Sequence, residues 1–171
     1  VRCAHNSYNN ATGQSDQGAC VPCPASSSTD HDGGTSAASC LCDASYFAEA
    51  LTDAGEPSCV LCPPGTVCEA MGTTLHTLNL TRGAWRVSNE SSDVRPCPDA
   101  TEETTGCVGG VGNVCKERLG GPYCAGCTAE AIAEGYHYAV SKSECRPCGE
   151  AELGWQGTLV LSALALVVVG G

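Results

Sequence analysis

The chain has 171 residues, enough for one or two ordinary domains, and 15 of them are cysteine. Eight basic against 19 acidic residues give a formal charge of −11, which repels phosphate backbones and excludes nucleic acid as a partner. With one Phe, one Met and two Trp, the chain lacks the large apolar side chains of an ordinary cytosolic enzyme core, so covalent cross-links must replace that core.

The first 68 residues carry a cysteine ladder. Cys3 and Cys20, Cys23 and Cys40, and Cys42 and Cys59 are each 17 positions apart. The junctions Cys20-Val21-Pro22-Cys23, Cys40-Leu41-Cys42 and Cys59-Val60-Leu61-Cys62 join one interval to the next. A repeat this short reads as a stack of small modules, each stapled by its own bridge. The favoured pairing is sequential: Cys3–Cys20, Cys23–Cys40, Cys42–Cys59 and Cys62–Cys68. Spacing ranks connectivities without fixing one. Between the cysteines lie turn-forming residues, as in the stretch from Ser26 to Gly34. A bridge over a loop of this length contributes about 3 kcal/mol in the chain-entropy model.

Residues 69–96 contain no cysteine. Leu78 and Leu80 alternate, and Gly83 precedes Ala84-Trp85, which reads as two short strands around a glycine turn with Trp85 as the apolar plug. A second cysteine cluster fills residues 97–150, with Cys97, Cys107, Cys115, Cys124, Cys127, Cys145 and Cys148. Here the series is expected to continue as Cys115–Cys124 and Cys127–Cys145, with Cys97–Cys107 beside it. An odd count leaves one cysteine over, and Cys148 is expected to be free or bonded outside this stretch. Thr128 to Glu134 suits a turn or two of helix. Tyr136 and Tyr138 alternate as in a short strand, and Pro122 with its paired glycines enforces a tight turn.

Residues 154–171 hold no charge over 18 positions. As a helix the run rises about 27 Å, close to the hydrocarbon thickness of a bilayer. Trp155 stands where an interfacial aromatic belongs. The run reads as a membrane span of a longer protein, with a removable lipid-anchor signal as the rival reading. The sequons Asn10-Ala11-Thr12, Asn79-Leu80-Thr81 and Asn89-Glu90-Ser91 place residues 1–150 outside the cell, and N-glycans are expected on Asn10, Asn79 and Asn89.

The pattern Cys40-Leu41-Cys42, Tyr46-Phe47, Cys59-Val60-Leu61-Cys62-Pro63-Pro64-Gly65-Thr66-Val67-Cys68 resembles the ephrin-receptor-like cysteine-rich repeat, which is related in style to tumour-necrosis-factor-receptor and EGF-like modules. Downstream, Gly83-Ala84-Trp85-Arg86, Val94-Arg95-Pro96-Cys97, the stretch from Gly120 to Cys127, Gly135-Tyr136-His137-Tyr138 and Cys145-Arg146-Pro147-Cys148 resemble the membrane-proximal region of large algal and protist surface proteins. The resemblance covers about residues 20–171. It implies modules preceding a membrane helix and, by analogy, a place in a flagellar or mastigoneme-like assembly of several subunits.

Other chemistry is weighed against plainer readings. Cys124, Cys127, Cys145 and Cys148 have the spacing of a zinc ribbon, which would be the first choice in a reducing compartment. Asp30-His31-Asp32-Gly33-Gly34 opens like a calcium loop, but position 12 counted from Asp30 is Leu41 where a glutamate is needed, so a solvated turn is the reading. The stretch from Thr101 to Gly106 reads as a solvated acidic loop. The four histidines are scattered with no nucleophile elbow, and no enzyme signature, metal or cofactor is expected.

The expected fold is small, disulfide-rich and mostly irregular with short β-hairpins: tandem modules over 1–68, a β element over 69–96, a membrane-proximal module over 97–150 and a transmembrane helix over 154–171. The expected function is an extracellular stalk of a membrane-anchored glycoprotein with a structural, adhesive or assembly role. The alternatives are a receptor ectodomain binding a protein ligand and, last, a metal or redox protein.

Overall fold

The computed structural model describes residues 2–13, 15–99, 104–112 and 114–149. Its strands are short and pair two by two, all antiparallel. β1 (Ser7–Tyr8) pairs with β2 (Val21–Pro22), β3 (Ser27–Thr29) with β4 (Cys40–Cys42), and β5 (Tyr46–Leu51) with β6 (Pro57–Leu61). β7 (Thr66–Val67) pairs with β8 (Asn79–Leu80), and β9 (Ala84–Trp85) with β10 (Arg95–Pro96). β11 (Leu119–Gly120) pairs with β12 (Gly126–Cys127). After helix α1 (Ala129–Ala133), β13 (Tyr136–Ala139) pairs with β14 (Glu144–Pro147). A lone hairpin is marginal in water, so each of these needs a staple.

The staples are seven disulfides among the described residues: Cys3–Cys20, Cys23–Cys40, Cys42–Cys59, Cys62–Cys68, Cys97–Cys107, Cys115–Cys124 and Cys127–Cys145. The junction Cys40-Leu41-Cys42 lies in β4, where period-two alternation turns both cysteines to one face. Both are buried; one bonds back to Cys23 and the other forward to Cys59. Successive hairpins are thereby linked through a single strand.

Among the described residues the apolar interior is divided into three small clusters, each built partly of cystine. Tyr8, Ala37 and Cys40 form the first; Phe47, Cys68 and Leu78 the second; Leu80, Ala84, Cys97, Cys107, Val114, Leu119 and Cys124 the third and largest. Backbone bonds tie sequence-distant segments beside these clusters. Asn9 N–H donates to the Gly34 carbonyl at 3.0 Å, and Ala48 and Leu75 are linked through Leu75 N–H to the Ala48 carbonyl at 2.9 Å. Tyr8 Oη donates to Glu56 Oε1 at 2.9 Å across 48 positions of sequence.

Residues 69–96 differ from the sequence expectation. The two strands and the turn exist, with Gly83 at φ 82°, but the strands do not pair with each other. The Leu80 N–H donates to the Gly110 carbonyl at 3.0 Å and its own carbonyl accepts from Gly110 N–H at 2.8 Å, so neither group is left for β9. This approach needs glycine at 109: its φ is 78°, and a Cβ there would stand 2.6 Å from the Leu80 carbonyl oxygen. Trp85 is half-buried at the edge of the third cluster, so Leu78, Leu80 and Leu119 fill the role expected of it. The run 154–171, expected to cross a membrane, lies outside the described residues, as do residues 101–103 of the acidic stretch. Among the described residues no helix is long and apolar enough to span a bilayer.

Candidate functional site

The candidate site is the stapled surface itself, where cysteines, sequons and the few buried charges meet. The Cys-x-x-Cys pairs do not converge as a zinc ribbon would. Cys124 bonds to Cys115 and Cys127 bonds to Cys145, which leaves Cys148 without sulfur partners. Cys148 follows β14 and is exposed, with its Sγ 3.7 Å from His137 Nδ1. Cys97, Asp99 and Cys107 also cluster, but the two sulfurs are consumed in one bridge. Asp30 Oδ1 and His31 Nδ1 lie 2.6 Å apart on an exposed turn, and no third His, Cys, Asp or Glu side chain joins them in a ligand cluster among the described residues.

The three sequon asparagines, Asn10, Asn79 and Asn89, are all exposed. Asn10 lies in a coil after β1, Asn89 in a turn after β9, and Asn79 within β8 between two buried leucines.

Two polar centres tie irregular segments of the fold, one in residues 69–96 and one in the second cysteine cluster. Arg86 is only 4% exposed, yet carries a guanidinium. Its Nη1 donates to the Leu75 carbonyl at 2.8 Å and its Nη2 to the Leu78 carbonyl at 3.2 Å, while Nε has no partner among the described residues. Burial holds this guanidinium below the ordinary arginine value, though an arginine remains cationic. Its work is to satisfy carbonyls of the irregular 75–78 segment that no strand reaches. Asp99 joins the loop after Cys97 to the turn at Ser143. Its carboxylate accepts from Ser143 Oγ, from Gly106 N–H at 3.2 Å and from Thr105 Oγ1 at 3.4 Å. Burial opposes its charge, but the hydrogen bonds from Ser143, Gly106 and Thr105 outweigh it and hold the carboxyl below its usual range. At β13, the Arg118 guanidinium stacks 4.6 Å from the Tyr136 ring centroid, and Trp85 meets Tyr123 at 4.8 Å. These contacts spend the aromatics on internal packing.

The sequence marks Arg86 only as part of the Gly83-Ala84-Trp85-Arg86 string and does not mark Asp99 at all. Arg86 sits in an ordinary Trp-Arg-Val string, and its carbonyl partners lie 11 and 8 positions away. Asp99 reaches Ser143 over 44 positions. The only local sign of Asp99's role is the Thr105-Gly106 pair placed to donate back to it.

Residues 1–40 match the family described as tyrosine-protein kinase ephrin type A/B receptor-like. No curated protein matches the chain, and no solved structure matches it. The matched segment contains the first two 17-residue bridges, upstream of the Cys40 to Cys68 string that carried the resemblance in the sequence. The described residues thus hold seven disulfides, and residues 1–40 of this cysteine-rich chain match an ephrin-receptor-like module. Such a module fits an extracellular or cell-surface protein, structural or receptor-like in role.

Proposed function

We propose that the chain is the extracellular, membrane-proximal stalk of a larger membrane-anchored glycoprotein, with a structural role in a surface assembly of several protein subunits. The observation that carries this reading is the bonding of stapled hairpins to segments further along the chain. Tyr8 reaches Glu56, Ala48 bridges to Thr74, and Leu80 bridges to Gly110. Modules fixed in series resist bending and proteolysis, which is what a spacer needs. The uncharged run 154–171 supplies the anchor, and the sequons set the outward side. A protein-binding receptor face is enriched in aromatics and arginine. The large apolar side chains most exposed here, including Leu51, Leu61, Val87, Ile132 and Val140, are aliphatic and scattered. The chain is expected to work without enzyme activity, metal or cofactor, and with no nucleic-acid partner.

The test is truncation after Glu152. Cells are expected to secrete the shortened protein into the medium while the longer chain stays on the membrane. Full retention of the truncated form would refute the anchor.

A further inference from the structure

The outer face of β7 and β8 carries an open cleft of about 420 Å³. Its lining includes Val67, Met71, Thr77, Asn79 and Val111. Val67, Met71 and Val111 are 37%, 41% and 55% exposed, so this is a patch of aliphatic and thioether surface left facing water. Asn79 belongs to the same wall. Leu78 and Leu80 on either side of it are 0% and 3% exposed, and strand alternation therefore turns Asn79 outward. The antiparallel register sets Asn79 directly across from Val67, so both side chains rise from the same face. The asparagine of a sequon thus stands at the edge of a cleft whose lining mixes Val67, Met71 and Val111 with Glu69, Thr73 and Thr77, a surface that a sugar ring can enter.

We propose that Asn79 is N-glycosylated and that the first N-acetylhexosamine ring lies in this cleft, capping Val67, Met71 and Val111. The occupant is tethered by its own attachment point. The C–H face of a pyranose suits the valines and the methionine, while its hydroxyl and acetamide groups face Thr77 and water. Attachment joins the Asn79 amide nitrogen to the anomeric carbon of a lipid-pyrophosphate-linked oligosaccharide. The new C–N bond replaces the C–O bond to phosphate, the lipid pyrophosphate leaves with the electron pair, and the amide loses one proton to base. The inference rests on the extracellular reading above, because that donor is available only in the secretory pathway.

Met71 is the single methionine of the chain, so its oxidation to sulfoxide reports access to the cleft without background. The experiment uses the full chain from a glycosylating host. Peroxide oxidation of Met71 is followed by peptide mass spectrometry in three forms: untreated, trimmed to one residual sugar, and stripped by amidase. Asn79 is expected to be occupied. Met71 should oxidise several-fold faster after stripping and at the untreated rate after trimming. Thr81→Ala removes the sequon without altering the cleft wall and should oxidise like the stripped form; Asn89→Gln should behave like the untreated protein. Equal rates in all three forms would overturn the capping. An empty Asn79 beside an occupied Asn10 or Asn89 would overturn this inference alone. No sugar on any of the three would overturn it together with the extracellular reading.

Discussion

Replacing Cys97 and Cys107 together by alanine is expected to lower stability by about 2–5 kcal/mol and to cut the yield of folded protein sharply. The bridge closes a separation of 10 residues, a loop worth about 3 kcal/mol in the chain-entropy model. It also sits at the centre of the largest cluster, where Cys97 is 3% and Cys107 0% exposed. Its removal leaves Leu80, Leu119 and Cys124 facing a void, so a packing loss adds to the entropic one. The same change at Cys3 and Cys20, where Cys3 is buried but Cys20 is half-buried and neither belongs to an apolar cluster, should cost less. Chemical unfolding of the two double variants checks the ranking. Equal midpoints would contradict the added packing loss at Cys97–Cys107.

Phe47→Ala is expected to cost about 3–5 kcal/mol. Phe47 is the only phenylalanine and is 1% exposed. From β5 it packs on Cys68 and Leu78, with Val60, Cys62 and Leu75 around them. It therefore joins the β5–β6 hairpin to the irregular segment that Arg86 supports. Leu51→Ala, on the same strand but 70% exposed, should fall within about 0.5 kcal/mol of the parent. A denaturant midpoint for Phe47→Ala no lower than that of Leu51→Ala would remove Phe47 from the core.

The parts of the fold that the sequence makes visible are those encoded locally. The 17-residue offset marks three bridges because each closes one hairpin-sized loop and the next begins within three residues. The helix at residues 129–133 is readable from Thr128, whose side chain caps it by accepting from Ala131 N–H at 3.3 Å. Tyr136 and Tyr138 alternate in a strand long enough for period two to register. What stays hidden is the choice of partners. β8 and β9 have two residues each, too few for any period to say which strand they meet, and Leu80 finds Gly110 30 positions on. Long-range side-chain bonds are hidden for the same reason. Tyr8 with Glu56, Asp99 with Ser143 and Arg86 with the 75–78 carbonyls depend on how loops lie in space. Of the candidate site, the cysteines and sequons are legible by residue type, whereas the cleft beside Asn79 emerges only when β7 is laid against β8.

Partial digestion of the full chain without reductant, with mass spectrometry of the linked peptides, zinc analysis and thiol titration on the same sample, tests the extracellular framework most directly. The account predicts seven linked pairs as described above, no bound zinc, and Cys148 as the one cysteine outside them, either titrating as a thiol or joined to another chain. Reduced Cys124, Cys127, Cys145 and Cys148 holding zinc, or a bond between Cys20 and Cys23, would contradict it.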